Sequence, residues 1–444
     1  MANEEKRYIN RLKSRNVVRP LVNKMYGEGV EAAAEGRPVA WCMVNWWEGD
    51  LILRAMGVTP VYPENYGTVC ASTGIAQKYL ERSDAEGFPT HLCGYARNAF
   101  GYTAEMKELG EVPPDAPMGG LAPPTFLMSS EGYCDARYKW FQGLKHYLDV
   151  PVWNLAYPHP AAKETLMPER RKANIQYMAK ELKRFVDFLE DLLKKKMDYD
   201  KLEAFLDNQE KVFKVWWEIN ELRKARPCPM HARDFWTLMV PCYYMSAEKE
   251  TLDVYQAVYD EVKERVEKGI GAVEPEDYRL IFAELPPWHS LGFFEKLAEL
   301  GWNFVTESPG YHPPPPMEFE EVGEPLERVA RWTFMYYTHH FMHAQKMGYP
   351  MQGGMVQQYY NWAREYRCDG FLTHHLITCR TATFWLTESM NIIEEELGIP
   401  GMAMEGDIVD LTVFDPVAIL DKAGPFQDTM DHYRKVRKEK GLDW

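Results

Sequence analysis

The sequence predicts an α/β protein: two parallel-sheet domains of the doubly wound, Rossmann/flavodoxin-like kind, joined by a helical region. Three observations predict it. Short apolar runs alternate with amphipathic stretches in strand, helix, strand order, which places helices on both faces of parallel sheets. This alternation occurs twice, before and after an interval (about 168–268) that holds only helical periodicity. Finally, 444 residues exceed what one hydrophobic core usually organises, at roughly 150 residues per domain.

Taken in chain order, residues 3–35 mix charged and apolar positions and predict an amphipathic helical arm. RPVAWCMVNWW (37–47) suits a buried strand and LILRAMG (51–57) a short helix, while VTPVYPENYG (58–67) returns to strand and turn composition. Residues 68–85 read as helical. GEVPPDAPMGGLAPP (110–124) is too rich in Pro and Gly for anything but a loop over a surface or a site. TFLMSS (125–130) is a strand, CDARYKWFQGLKHYL (134–148) the helix behind it, and VPVWNLAYPHP (150–160) another strand. RRKANIQYMAKELKRFVDFLEDLLKKK (170–196) then shows apolar residues at i, i+3, i+4 spacing with a charged opposite face. RLIFAELPP (279–287) and NFVTESP (303–309) are strands with the helix FFEKLAELG (293–301) between them. CDGFLTHHLITC (368–379) is a strand running into one helix, TATFWLTESMNIIEEELG (381–398), and PGMAMEGDIVD (400–410) is the next strand. The expected division is an arm over 1–40, a first α/β domain over 41–167, a helical region over 168–275 and a second α/β domain over 276–444.

Composition excludes several functions. With 51 Lys and Arg against 66 Asp and Glu, the net charge is -15. That argues against a nucleic-acid partner, since phosphate contacts need clustered cations. No stretch reaches the ~20 apolar residues of a membrane span, and the charged start lacks a secretory core, so a cytoplasmic protein without a membrane partner is expected. There is no GxxxxGK[ST], no GxGxxG after a strand, no HExxH and no GxSxG. Within YTHHFMH, His340 and His343 have the spacing to share a metal, although a solvent-facing or core-satisfied set with His339 is the simpler reading. The 14 Trp and 26 Tyr need a core, an interface or a flat ligand to cover them.

Eight cysteines are scattered without a CxxC pair, as befits reduced thiols. Three of them share a setting. Cys93 (THLCGYARNAFG), Cys134 (SSEGYCDARYKWF) and Cys379 (HHLITCRTATFW) each stand at or just before a predicted helix start, two of them directly after strands. In doubly wound proteins ligands bind beyond the carboxyl ends of the strands. A helix N-terminus also favours a thiolate, the donor that a soft metal centre needs. Three such thiolates could hold one iron-sulfur cluster and leave a position open for substrate. Read by spacing alone, the same residues also fit a set of buried structural thiols.

At these residues the chain resembles the 2-hydroxyacyl-CoA dehydratase / benzoyl-CoA reductase family. The resemblance runs through CGYARNAFG, the Pro-Gly loop and the C-D-x-x-x-K-W-F segment. It continues in RLIFAELPPWHSLGFFEKL with GWNFVTES, and in DGFLTHHLITCR with ELGIPGMAMEGDIVD, in the same order over most of residues 60–415. It implies that Cys93, Cys134 and Cys379 ligate a [4Fe-4S] cluster in the interdomain cleft, with Cys368 and Cys70 as bystanders. The length and the ending EGDIVDLTVFDP look most like the larger cluster-bearing subunit of an ATP-dependent benzoyl-CoA reductase. That implies benzoyl-CoA as substrate and a Birch-like ring reduction to cyclohexadienoyl-CoA in anaerobic aromatic degradation. The partners so implied are a homologous second cluster-bearing subunit, separate ATP-hydrolysing subunits and ferredoxin as the upstream donor. The alternatives within the family are a radical 2-hydroxyacyl-CoA dehydratase subunit and a non-catalytic electron relay. Trp46, Trp47, Trp140 and Trp288 are candidate walls for a flat substrate, although such a residue is more often plain core. His289, His374 and His375 are candidate proton donors.

Overall fold

In the computed structural model, the described residues are 7–43, 49–132, 134–156, 158–442 and 444. Ten strands occur among them in chain order: β1 (Tyr8–Ile9), β2 (Val39–Cys42), β3 (Thr59–Val61), β4 (Phe126–Ser130) and β5 (Val152–Leu155), then β6 (Val273–Glu274), β7 (Tyr278–Ala283), β8 (Trp302–Thr306), β9 (Gly370–Leu376) and β10 (Gly401–Gly406). Two four-stranded sheets result, β3-β2-β4-β5 and β10-β9-β7-β8, and every pairing within them is parallel. Counted within its own sheet, the first has the order second, first, third, fourth, the flavodoxin-like arrangement, and the second reads fourth, third, first, second. In both, the first and third strands are the central pair. The expected α/β class with two parallel sheets is what the chain adopts.

The local chemistry explains the register. β2, β4, β7 and β8 are buried along their whole length, as strands covered by helices on both faces must be, and their sequences are correspondingly apolar without alternation. Pro60 cannot donate to a ladder and sits in β3, at a sheet edge. The Pro-Gly loop 110–124 is pinned by tyrosines and a tryptophan: Tyr66 donates to Pro117 O (3.0 Å), Tyr102 to Leu121 O (2.9 Å) and Trp41 Nε1 to Ala122 O (2.7 Å). The helices Ala76–Ala85 and Gly94–Leu109 cross so closely that a Cβ on Gly101 would lie 1.8 Å from the Tyr79 carbonyl oxygen. Only glycine fits there.

Between the sheets in sequence run the helices Pro168–Leu193, Tyr199–Leu222, Ala232–Tyr244 and Lys249–Lys268. The first buries Ile175, Met178, Leu182, Phe185, Val186 and Leu189, one stripe of a 3.6-residue period. Its partner comes from the far side of the sequence, the helix Pro325–Met347, which the periodicity reading leaves unassigned apart from its histidines. The helices Val356–Glu365 and Pro416–Glu439 are likewise additions.

Two local expectations are corrected. The arm is not helical throughout. Its residues 3–6 lie outside the described residues, β1 pairs antiparallel with β6, and the helix spans Arg15–Ala34. Arg265 fixes the intervening turn by donating to Asn10 O (2.6 Å) and Arg11 O (2.8 Å), which outweighs the helical pattern locally. The single helix expected over 381–398 is two, Arg380–Thr383 and Leu386–Leu397, because the chain must turn at the end of β9 before it can pack along the sheet. Among the described residues no helix is long and apolar enough to cross a membrane.

Candidate functional site

The carboxyl ends of the two sheets are brought together, with Gly94 bonded to Thr378 and Trp288 to Tyr95, and chemistry-bearing residues gather at this junction. Cys93 is the N-cap of Gly94–Leu109, Cys379 the N-cap of Arg380–Thr383, and Cys134 stands two residues before Ala136–Leu148. Of the eight cysteines, Cys42, Cys70, Cys228, Cys242 and Cys368 are buried, and these three alone are partly exposed. They also sense one another. Burial pushes the Cys93 thiol up first of all, and charge on Cys379 or Cys134 pushes it further. Burial likewise raises Cys379, with Cys134 adding to it. The backbone amides of the helix starts act the other way, Ala96 on Cys93, Ala382 on Cys379, and Arg137 with Ala136 on Cys134.

A clasp across the two sheets holds Cys93 beside Cys379. The Gly94 amide donates to Thr378 Oγ1 (3.2 Å), and the Thr378 hydroxyl donates in turn to Asp407. Asp407 Oδ1 accepts the amides of Val409 (2.8 Å) and Asp410 (2.9 Å). Asp410 also accepts from Arg97 (3.4 Å) and Gln77 (3.2 Å), while Arg97 is gripped on its other side by Asp84 (2.8 and 3.0 Å). These contacts join residues near 94 with residues near 407, so the cleft geometry is fixed by charged hydrogen bonds.

Around the thiols lie Glu64 and Arg137. They pair at 3.7 Å, and Arg137 also donates to Ser130 Oγ at the end of β4 (3.2 Å). The negative charge of Glu64 raises all three thiols, whereas Arg137 lowers Cys134. Sequence reasoning misses both residues, although PENYG and CDAR are segments it singles out. An acidic side chain inside a buried apolar helix start is the available signal.

Trp288 is 6% exposed, donates to Tyr95 Oη (2.6 Å) and meets Trp236 edge-on at 5.5 Å. Trp236 meets Tyr311 at the same separation, so a wall of rings reaches the helix that Cys93 opens. Trp140 is core, packed against Phe141 at 5.6 Å. Trp46 and Trp47 lie outside the described residues.

His289 bonds to Asp407 O (3.0 Å) and Ser290 Oγ (2.9 Å). A carbonyl can only accept, so Nε2 carries the hydrogen and the ring braces the Asp407 clasp. His374 is fully buried on β9 and donates from Nδ1 to Leu285 O (2.7 Å). Burial pushes its pKa down to about 4, so the ring is neutral near pH 7. His375 points to the opposite face, half-buried and also lowered by burial, with Glu405 acting against the shift. His339 and His343 are spoken for, by the Met335 and Tyr336 carbonyls and by Glu365. Among the described residues no three His, Cys, Asp or Glu side chains converge tightly enough for a single metal ion.

Comparison with known proteins gives this cleft its setting. The chain is 25% identical over 404 residues to the (R)-phenyllactyl-CoA dehydratase alpha subunit of Clostridium sporogenes, covering 90% of this chain and 92% of that protein. It is 23% identical over 418 residues to the lactoyl-CoA dehydratase alpha subunit of Anaerotignum propionicum, covering 91% and 93%. A benzoyl-CoA reductase subunit of Thauera aromatica is 25% identical over 371 residues, covering 79% and 80%. The family model described as 2-hydroxyglutaryl-CoA dehydratase, D-component, matches residues 50–417, a span that contains all three cleft cysteines, Glu64, Arg137 and the Asp407 clasp. With most of its length so matched, the chain belongs to the 2-hydroxyglutaryl-CoA dehydratase D-component family.

Proposed function

We propose that the chain is the cluster-bearing subunit of a radical 2-hydroxyacyl-CoA dehydratase, with Cys93, Cys134 and Cys379 holding one [4Fe-4S] cluster between the two sheets. One observation carries this reading: these three cysteines alone of eight escape full burial, Cys93 and Cys379 cap helices, and Cys134 stands two residues before one, at the same junction of the sheets. The donor set fits the group. Three thiols near helix N-termini are soft donors in a field that favours negative charge, and burying them as thiolates is costly unless a cationic centre compensates it. Such a cluster, when bound, supplies one-electron chemistry at low potential.

The chain's own residues do the rest. Arg137 and Glu64 give the cleft a fixed dipole against which a 2-hydroxyacyl thioester can orient. Trp288, Tyr95 and Trp236 exclude water that would quench a radical. The Asp407 clasp keeps the thiols of the two sheets at constant separation. The relatives named alpha subunits support a second subunit as partner. ATP-hydrolysing subunits and a ferredoxin donor belong to the same proposal.

Reduction of benzoyl-CoA, the reading that the sequence motifs lead with, is the second reading. The ring-lined wall at Trp288 favours it, while the wider coverage of the dehydratase relatives favours the first. Protein reconstituted without oxygen should carry about four irons per chain; less than about one would sink both readings. With activating partners present, a dehydratase turns over a 2-hydroxyacyl-CoA without net electron consumption. A reductase consumes electrons with every ring reduced.

A further inference from the structure

Glu284 follows the last residue of β7, the first strand of its sheet, and lies at the switch point between β7 and β9. It combines three unfavourable features. Its φ is +74°, a conformation that glycine adopts freely and glutamate does not. It is 8% exposed. And no Lys, Arg or His among the described residues pairs with it; its partners are hydroxyls, Tyr359 at 2.7 Å and Ser308 at 3.5 Å. The nearby Glu307 shows the ordinary solution to the same burial, a two-pronged pair with Arg223 at 2.7 and 2.5 Å. Strained backbone held by its surroundings, carrying an uncompensated acid, is a feature of functional sites. Glu284 also stands within electrostatic reach of Cys379.

We infer that Glu284 is the proton-uptake group of the cleft: when one electron is added at the cysteine site, one proton from solvent moves onto the Glu284 carboxylate. This rests on the cluster reading above. The balance is simple. The electron comes from a low-potential donor, the cluster is what it reduces, the proton forms one O–H bond on Glu284, and the net charge of the buried cleft does not change. Of the groups facing Glu284, Glu307 is also raised by burial, to about 7, but the Arg223 guanidinium on both its oxygens opposes its protonation, and His374, whose Nδ1 bonds to the neighbouring Leu285 O, is neutral. Tyr359 and Ser308 are hydroxyl donors, and the three thiols are committed as ligands. Burial raises the Glu284 pKa to about 7. Added negative charge beside it raises it further, so uptake on reduction is expected from about that pH upward.

The test is a redox titration of the anoxically reconstituted protein from about pH 6 to about pH 9, with dithionite as donor and the cluster followed by absorption and spin resonance. The midpoint should be flat below about pH 7 and fall above it. The limit is about 59 mV per unit, the one-electron equivalent of a tenfold change in proton activity. Glu284→Gln should be flat throughout. Tyr359→Phe, which removes a donor to the carboxylate, should keep the slope but move its onset to higher pH. A flat wild-type profile, or an undiminished slope in Glu284→Gln, overturns the inference. Iron measured on the same samples separates the failures: a flat profile with about four irons bound defeats this inference alone, and an iron-free wild-type chain defeats the cluster reading with it.

Discussion

Gly94→Ala places one methyl group where the two sheets are clasped. A Cβ there would lie 2.5 Å from Asp407 Oδ1, 3.2 Å from Val409 Cβ and 3.3 Å from Asp407 Cγ, whereas ordinary contact begins near 3.4 Å. The carboxylate must therefore retreat by about 0.9 Å. It accepts the amides of Val409 at 2.8 Å and Asp410 at 2.9 Å, and that retreat would stretch both bonds to roughly 3.7 Å, beyond hydrogen-bond range. Losing contacts to a charged acceptor costs about 1.5–3 kcal/mol. Replacing glycine in a helix returns at most about 1 kcal/mol. The net expectation is a loss of at least about 0.5–2 kcal/mol, read as a lower urea midpoint at unchanged m-value, together with weaker iron retention as Cys93 and Cys379 separate. An unchanged or higher midpoint would refute the account of the clasp.

Three other outcomes follow from the same structure. Cys368→Ala should cost about 1 kcal/mol from a small cavity and leave iron content unchanged, whereas Cys379→Ala should abolish iron retention; equal effects on iron would contradict the assignment. Arg223→Met should cost about 3–5 kcal/mol by stranding Glu307. Burial already raises the Glu307 pKa to about 7 and loss of Arg223 raises it further, so this loss should shrink as pH falls and the acid is protonated, and urea melts at two pH values would show it. The third outcome concerns His374, whose folded pKa of about 4 lies below its usual 6.5. The unfolded chain binds that proton more readily, so stability should fall as pH drops from about 6.5 toward 4, by up to about 3 kcal/mol from this residue. His374→Gln should flatten that acid limb in denaturation curves.

The strands and the three cysteines are legible in the sequence for related reasons. A parallel strand buried on both faces carries an unbroken apolar run, as FLM (126–128) and LIFA (280–283) are, and a thiol that follows a strand, as Cys134 and Cys379 do, sits at a sheet end. What is illegible depends on partners distant in sequence. Residues 7–12 belong to a stretch with a helical pattern, yet Arg265 holds the Asn10 and Arg11 carbonyls in irregular backbone, and β1 just before them pairs with β6. The helix Pro325–Met347 packs against the helix Pro168–Leu193, a partner far away in sequence that no local pattern announces. Glu284 and Asp407 look like ordinary surface acids in ELPP and EGDIVD. Only the fold reveals that one lacks a counter-ion and the other secures two sheets.

The matching central strands of the two sheets have a consequence for the thiols. Cys134 follows the third strand of the first sheet and Cys379 the third strand of the second, so they occupy equivalent steps of two related plans. Cys93 has joined the first of them, from the helix just before its third strand. Two of the three thiols thus come from the first sheet's half of the chain and one from the second's, and the Gly94–Thr378–Asp407 contacts bridge the two contributions.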